Sequence, residues 1–439
     1  TNNLVQYQPL RKAELNMPSY LGEDNLKVES ASDNNQIMSD GKFSSSSTFM
    51  FARLSVLMLL QFIVFGSWFA TLGLVLFTYK LGSIIGLAYT LCAVAAIISP
   101  LVFGAVSDRF ISSEKILGFL HVIGGAIQFM LPGLVASGNG SIALIVIFLY
   151  MVFFQPTQGL VNSLSFQHLG NRGNLYPYLR LFATGGWAIG GFIVGILGYS
   201  STIGIFYVAG ISGILLGGYS FTLPKTNPKV KNIKFNLLDA LGFRSLVLFK
   251  HKNFAILMIC ALLTSISLGV YNTYASPFLG SLGINGVASV MALGQLSEVA
   301  FIVFVPFVIK KVGMKWALLI GMAMWGIRFI LFILAAKGHH WMAFVGIGLH
   351  GICNDFFLIV SAMYIDRLAP HEMKVQAQSW LIIAISGFGA AFGSLISGYV
   401  YSITINAAIV QSWIILWSIP ISIAVVTSIV WFIGFEENK

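Results

Sequence analysis

The chain has 439 residues, of which 57% are hydrophobic and 9% charged, whereas soluble domains carry about a quarter charged residues. That composition excludes a water-soluble globular enzyme and points to a polytopic membrane protein. The formal net charge of +10 does not argue for nucleic acid, because the basic residues are confined to particular loops.

Residues 1–50 are polar, mixed in charge and free of apolar periodicity, which predicts a disordered cytoplasmic tail. The chain does not begin with Met, and no basic, apolar and small-residue pattern of a cleaved signal opens it. From Phe51 onward, twelve apolar stretches are each long enough to cross a bilayer as a helix. They lie at about 52–78, 84–106, 115–137, 140–163, 177–199, 202–223, 253–280, 286–311, 314–336, 340–364, 373–401 and 408–434. Residues 224–252 between the sixth and seventh are polar and basic, with an amphipathic piece at 235–248. The expectation is an all-α membrane protein of twelve transmembrane helices in two six-helix bundles, 51–223 and 253–434, with a central loop between them and a short C-terminus at 435–439.

Orientation follows from Lys and Arg. One set of loops holds Arg109, Lys115, Arg172, Lys225, Lys229, Lys231, Lys234, Arg244, Lys250, Lys252, Lys310, Lys311, Lys315, Arg367 and Lys374; the other holds Lys80 and Lys337. This bias predicts that the basic loops and both termini are cytoplasmic.

Gln61 and Trp68 in the first segment and His121 in the third read as packing or interfacial groups. After the second segment, the run from Gly104 to Asp108 and Arg109 resembles the glycine-to-aspartate motif of the major facilitator superfamily, where it implies a cytoplasmic gate. Asp366 with Arg367 after the tenth segment is a weaker echo. In the fifth segment Arg180, Thr184 and Trp187 share one helical stripe. Either Arg180 reaches back to the interface, or the stripe lines a substrate site.

The seventh segment carries Tyr271, Asn272 and Tyr274. The eighth has Gln295 and Glu298 three residues apart near its centre, with Met291 one turn earlier. A carboxylate at that depth is costly unless it faces protein or a water-filled cavity, so Glu298 is a functional candidate. Arg328 lies within the ninth segment and Asp355 within the tenth, either as a structural ion pair or in service of transport. His350 and Asn354 share a face of the tenth, with Asp355 about 140° from His350. Glycines around Gly387 and Gly393 in the eleventh segment suit helix packing. Cys92, Cys260 and Cys353 fall in apolar runs and are expected to be small buried hydrophobes. No cofactor motif and no metal-ligand spacing is present.

Residues Leu60 to Gly73, Pro156 to Asn162, Arg180 with Thr184, Gln295 with Glu298, Arg328 with Phe329, and Asp355-Phe356-Phe357 together resemble the nucleoside:proton symporter family of the major facilitator superfamily. The resemblance runs in order through residues 53–434. It implies a midplane nucleoside site and proton coupling by alternating access, in a monomer of the inner membrane. Carried over by position, it assigns substrate contacts to Arg180, Thr184, Trp187, Asn272, Gln295 and Glu298, with His350 and Asn354 lining. Glu298 and Asp355 are the expected proton-coupling carboxylates, and Asp108, Arg109, Arg328 and Asp366 the expected gate or structural ion-pair residues. The chain departs from the family pattern at Gly269, where a glutamine is usual, and at His350 and Asn354, where tyrosine and phenylalanine are usual. Leu175 replaces an acidic residue. These departures leave open a proton symporter for another small polar solute, such as a sugar, and a non-transporting receptor of the same fold.

Overall fold

The computed structural model describes residues 45–107, 112–226, 243–370, 373–406 and 409–436. Most of the N-terminal tail, the Asp108 and Arg109 pair and most of the amphipathic piece lie outside them. Every regular element among the described residues is helical, and a helix satisfies its backbone polar groups within itself where no water can do so.

Ten helical runs are long and apolar enough to cross a membrane. One of them, Val287–Ala336, is 50 residues long and is interrupted at Gly313, where φ is 84° and ψ 169°, so it holds two crossings. The shorter apolar helix Gly204–Ser220 completes twelve, in the predicted order. We label them α1 (Ser45–Gly66), α2 (Ile85–Ser107), α3 (Ser113–Gln128), α4 (Gly140–Leu169), α5 (Tyr176–Ile196), α6 (Gly204–Ser220), α7 (Lys252–Ser281), α8 (Val287–Phe301), α9 (residues 314–336), α10 (Trp341–Leu368), α11 (Gln376–Thr404) and α12 (Trp413–Gly434). Large side chains such as Ile196, Val303 and Ile433 are exposed, on surface that a bilayer would cover.

The first predicted segment is not one helix. It stops at Gly66 and resumes at Leu72–Thr78. Tyr89 of α2 satisfies part of the interrupted backbone: its hydroxyl donates to Phe69 O at 2.7 Å and accepts from Gly73 N at 3.2 Å. Two further irregularities are π turns, Asp355–Ile359 in α10 and Ile383–Gly389 in α11. Such turns insert a residue into a helix and often mark functional positions.

In the first half, His121 Nε2 meets Gln61 Oε1 at 2.8 Å and Gln61 Nε2 donates to Thr157 Oγ1 at 2.8 Å. These groups and Trp68 are buried, which is a packing role, and all three cysteines are free and buried. In the second half, Asn253 Nδ2 donates to Glu436 O at 2.7 Å, and its Oδ1 accepts from Glu436 N at 3.0 Å. Lys252 pairs with Glu436 and holds that carboxyl below its usual range. Asp366 pairs with Lys374 at 3.0 Å across the turn from α10 to α11.

The two halves meet at the end away from the basic loops, where several contacts run backbone to backbone. A Cβ on Gly86 of α2 would lie 2.6 Å from Gly398 Cα of α11. One on Gly73 would lie 2.6 Å from Thr273 O of α7, and one on Gly191 of α5 would lie 3.0 Å from Ala288 O of α8. Small residues permit this approach.

Candidate functional site

Beneath that closed end, a cavity of about 190 Å³ lies between the halves. From the first half it is lined by Phe65, Phe69, Tyr89, Gln155, Gln158 and Trp187, and from the second by Gly269, Asn272, Ser386 and Ser394 among others. A smaller adjoining hollow is bounded by Phe69, Trp187, Tyr271, Asn272, Met291 and Gln295. Trp187 stands edge-on to Phe65 at 4.7 Å and to Phe69 at 6.1 Å. The result is an aromatic wall on one side with amides and hydroxyls around it, a lining suited to a flat, polar, uncharged solute.

One turn along α8 from Gln295, the half-buried Glu298 heads a polar string that runs inward to the buried His350 and Arg328. Asn354 Nδ2 donates to Glu298 Oε1 at 2.6 Å, and His350 Nε2 lies 3.0 Å from the same oxygen. On the other side of the ring, Arg328 Nη1 donates to His350 Nδ1 at 2.7 Å. The Arg328 guanidinium is fully buried, 3.6 Å over the Tyr271 ring and 5.2 Å from that of Trp325. Aromatic faces can hold a desolvated cation in this way.

Backbone contact between α8 and α10 makes the string possible. Gly351 N donates to Ser297 Oγ at 2.8 Å, and a Cβ on Gly351 would lie 2.4 Å from Ser297 O. Any side chain at 351 would therefore push Glu298 away from Asn354.

The expected residues divide into groups. Trp187, Asn272 and Gln295 meet in one hollow. Glu298, His350 and Asn354 meet in the string and border neither hollow; His350 is 3% exposed, so its ring is engaged with protein. Arg180 is exposed, 5.7 Å from the Phe62 ring, and neither it nor Thr184 borders the two hollows. The anticipated pairing of Arg328 with Asp355 is not made: Arg328 turns to His350, while Asp355, 4% exposed, has one carboxylate oxygen without a hydrogen-bond partner. The π turn begins at Asp355, so the α-helical residues before it leave Asp355 off the face of His350, where Arg328 binds.

Sequence reasoning gave no role to Gln155, Gln158, Phe65 or Phe69. The two glutamines carry a signal, being amides three apart around Pro156 inside an apolar span. The phenylalanines carry none, because they look like any lipid-facing residue. Gly269 has a structural reason: a Cβ there would lie 2.9 Å from Ala390 O and 3.1 Å from Gly393 Cα, leaving no room for the glutamine usual in the resembling pattern.

The comparisons agree with this architecture. The family model described as nucleoside H+ symporter matches residues 49–439. The Escherichia coli (strain K12) protein YegT is 30% identical over 406 residues, covering 88% of this chain and 94% of that one. The xanthosine permease of the same organism is 26% identical over 404 residues, covering 88% and 96%. The crystal structure of the nucleoside transporter NupG superposes with a TM-score of 0.79 at 25% identity, covering 89% of this chain and 100% of that one. A transporter fold with no enzymatic role follows. With the family model spanning all twelve crossings, the chain belongs to the nucleoside–proton symporter family.

Proposed function

We propose that this protein carries nucleosides across the cytoplasmic membrane together with protons, with Glu298 as the coupling group and Trp187, Asn272 and Gln295 as the inner wall of the nucleoside site. The single observation behind this reading is the carboxylate of Glu298, membrane-deep and one turn along α8 from Gln295, which borders a hollow lined by aromatic rings and amides. The base lies against Trp187, while Asn272, Gln295, Gln155 and Gln158 offer donors and acceptors to base and ribose. Arg180 and Thr184, on the same stripe of α5 nearer the basic loops, meet the solute along its path. His350 and Asn354 act on Glu298, and Asp355 is a second carboxylate near it.

The basic-loop end is taken as cytoplasmic, with both termini there. The halves 51–223 and 253–434 swing about the cavity, and Asp108 with Arg109 belongs to the gate at the basic end. The cavity is built within one chain, which supports a monomer as the working unit. Movement of one proton down about 100 mV supplies about 2.3 kcal/mol, enough to hold a concentration ratio of about fiftyfold.

Uptake of labelled uridine, adenosine and xanthosine into proteoliposomes tests this reading. Gradient-driven accumulation that unlabelled sugars do not compete is expected. E298Q should abolish accumulation while keeping exchange of nucleoside across the membrane. Accumulation by E298Q, or competition by a sugar, would sink the assignment.

A further inference from the structure

Three groups meet the ring nitrogens of His350, Arg328 at Nδ1 and both Glu298 Oε1 and Asn354 Nδ2 at 3.0 Å from Nε2, and the first of them decides which nitrogen carries the proton. Arg328 has only donors, and it meets Nδ1 at 2.7 Å, so Nδ1 must be the acceptor and the single ring proton sits on Nε2. That N–H faces Glu298 Oε1 at 3.0 Å, where Asn354 Nδ2 donates as well. The ring cannot reverse this arrangement without giving up Arg328, which is fully buried and stacked on Tyr271. Around this string the charged and titratable groups are Glu298 on α8, Arg328 on α9, Cys353 and Asp355 on α10 and Tyr271 on α7.

We propose that Arg328 is a positioning residue which, by occupying His350 Nδ1, fixes the imidazole as a permanent donor to Glu298 and so sets the pH at which Glu298 exchanges its proton. The inference rests on Glu298 being the coupling group. Without Arg328 the ring is free to turn an unprotonated Nε2 toward Glu298 and to accept from its protonated carboxyl. The protonated carboxyl is then favoured.

The test reads Glu298 itself and needs no substrate. Infrared difference spectra of the purified full-length protein, titrated between pH 5 and 9, contain the carbonyl band of each protonated carboxyl. The component lost in E298Q belongs to Glu298. In R328M its midpoint is expected to rise by about one pH unit, a tenfold change in proton affinity. R328Q, whose amide still donates to Nδ1 but carries no charge, is expected to keep the wild-type midpoint. In the H350Q background, where no tautomer exists to be fixed, R328M is expected to have no effect.

Equal shifts in R328M and R328Q, or a shift that survives in the H350Q background, would overturn the proposal and make Arg328 a charge acting directly on Glu298. If R328M does not fold, R328Q alone decides, since a donor mechanism leaves the midpoint in place and a charge mechanism moves it. Absence of any band that E298Q removes would overturn the coupling role of Glu298 and this inference with it, whatever the uptake assays show for the solute.

Discussion

Glu298 owes its surroundings to Gly351 more than to any polar neighbour. Because a Cβ at 351 would lie 2.4 Å from Ser297 O, G351A forces α8 and α10 apart at the level of the carboxylate. We expect G351A to cut nucleoside uptake at least tenfold with normal amounts in the membrane, since misplacement by about 1 Å has costs of that order. G348A, three residues earlier with nothing within 4 Å, serves as the control and should leave uptake unchanged. Uptake assays on both variants decide the matter. The depth of Glu298 and its spacing from Gln295 were legible in the sequence, because a carboxylate and an amide inside an apolar run are too costly to keep there without a protein or water partner. The partnership of Arg328 with His350 was not. Helical periodicity says which face a residue occupies, and nothing about which of several helices that face meets.

At the scale of elements, twelve crossings and their order could be read from hydropathy alone, while the interruptions within them could not. The stretch from Gly66 to Thr71 contains no proline, and its Trp, Phe and Ala are as apolar as the helix on either side. At the break, which opens on the Gly66-Ser67 pair, Tyr89 of another helix accepts from Gly73 N and donates to Phe69 O. Y89F should leave both backbone groups without that partner. We expect a loss of about 1–3 kcal/mol, the range for an unsatisfied buried polar group, seen as a lower melting temperature of the detergent-solubilised protein. An unchanged melting temperature would mean that water replaces the hydroxyl. The π turns were equally hidden, since one extra residue in a turn leaves composition untouched.

For the whole molecule, the seam between the halves predicts which end admits reagents. Cys92 lines the cavity of about 190 Å³ and is buried beneath the closed end. In a C260S/C353S background, a membrane-impermeant maleimide added at the end away from the basic loops should leave Cys92 unlabelled. Adding G398L, which sets a branched side chain where Gly86 and Gly398 now touch, should prop the seam open and expose Cys92. Labelling that is equal with and without G398L would show that the seam is not what shields the cavity. The glycines at this seam have a further mechanical meaning. Where Gly86 meets Gly398 the faces are bare backbone with no rotamers to unlock, so at that point the halves of the proposed cycle part like plates on a smooth bearing. Resistance to that parting falls instead on the side chains that cross the same seam, Tyr401 against Gly82 and Leu74 against Gly280.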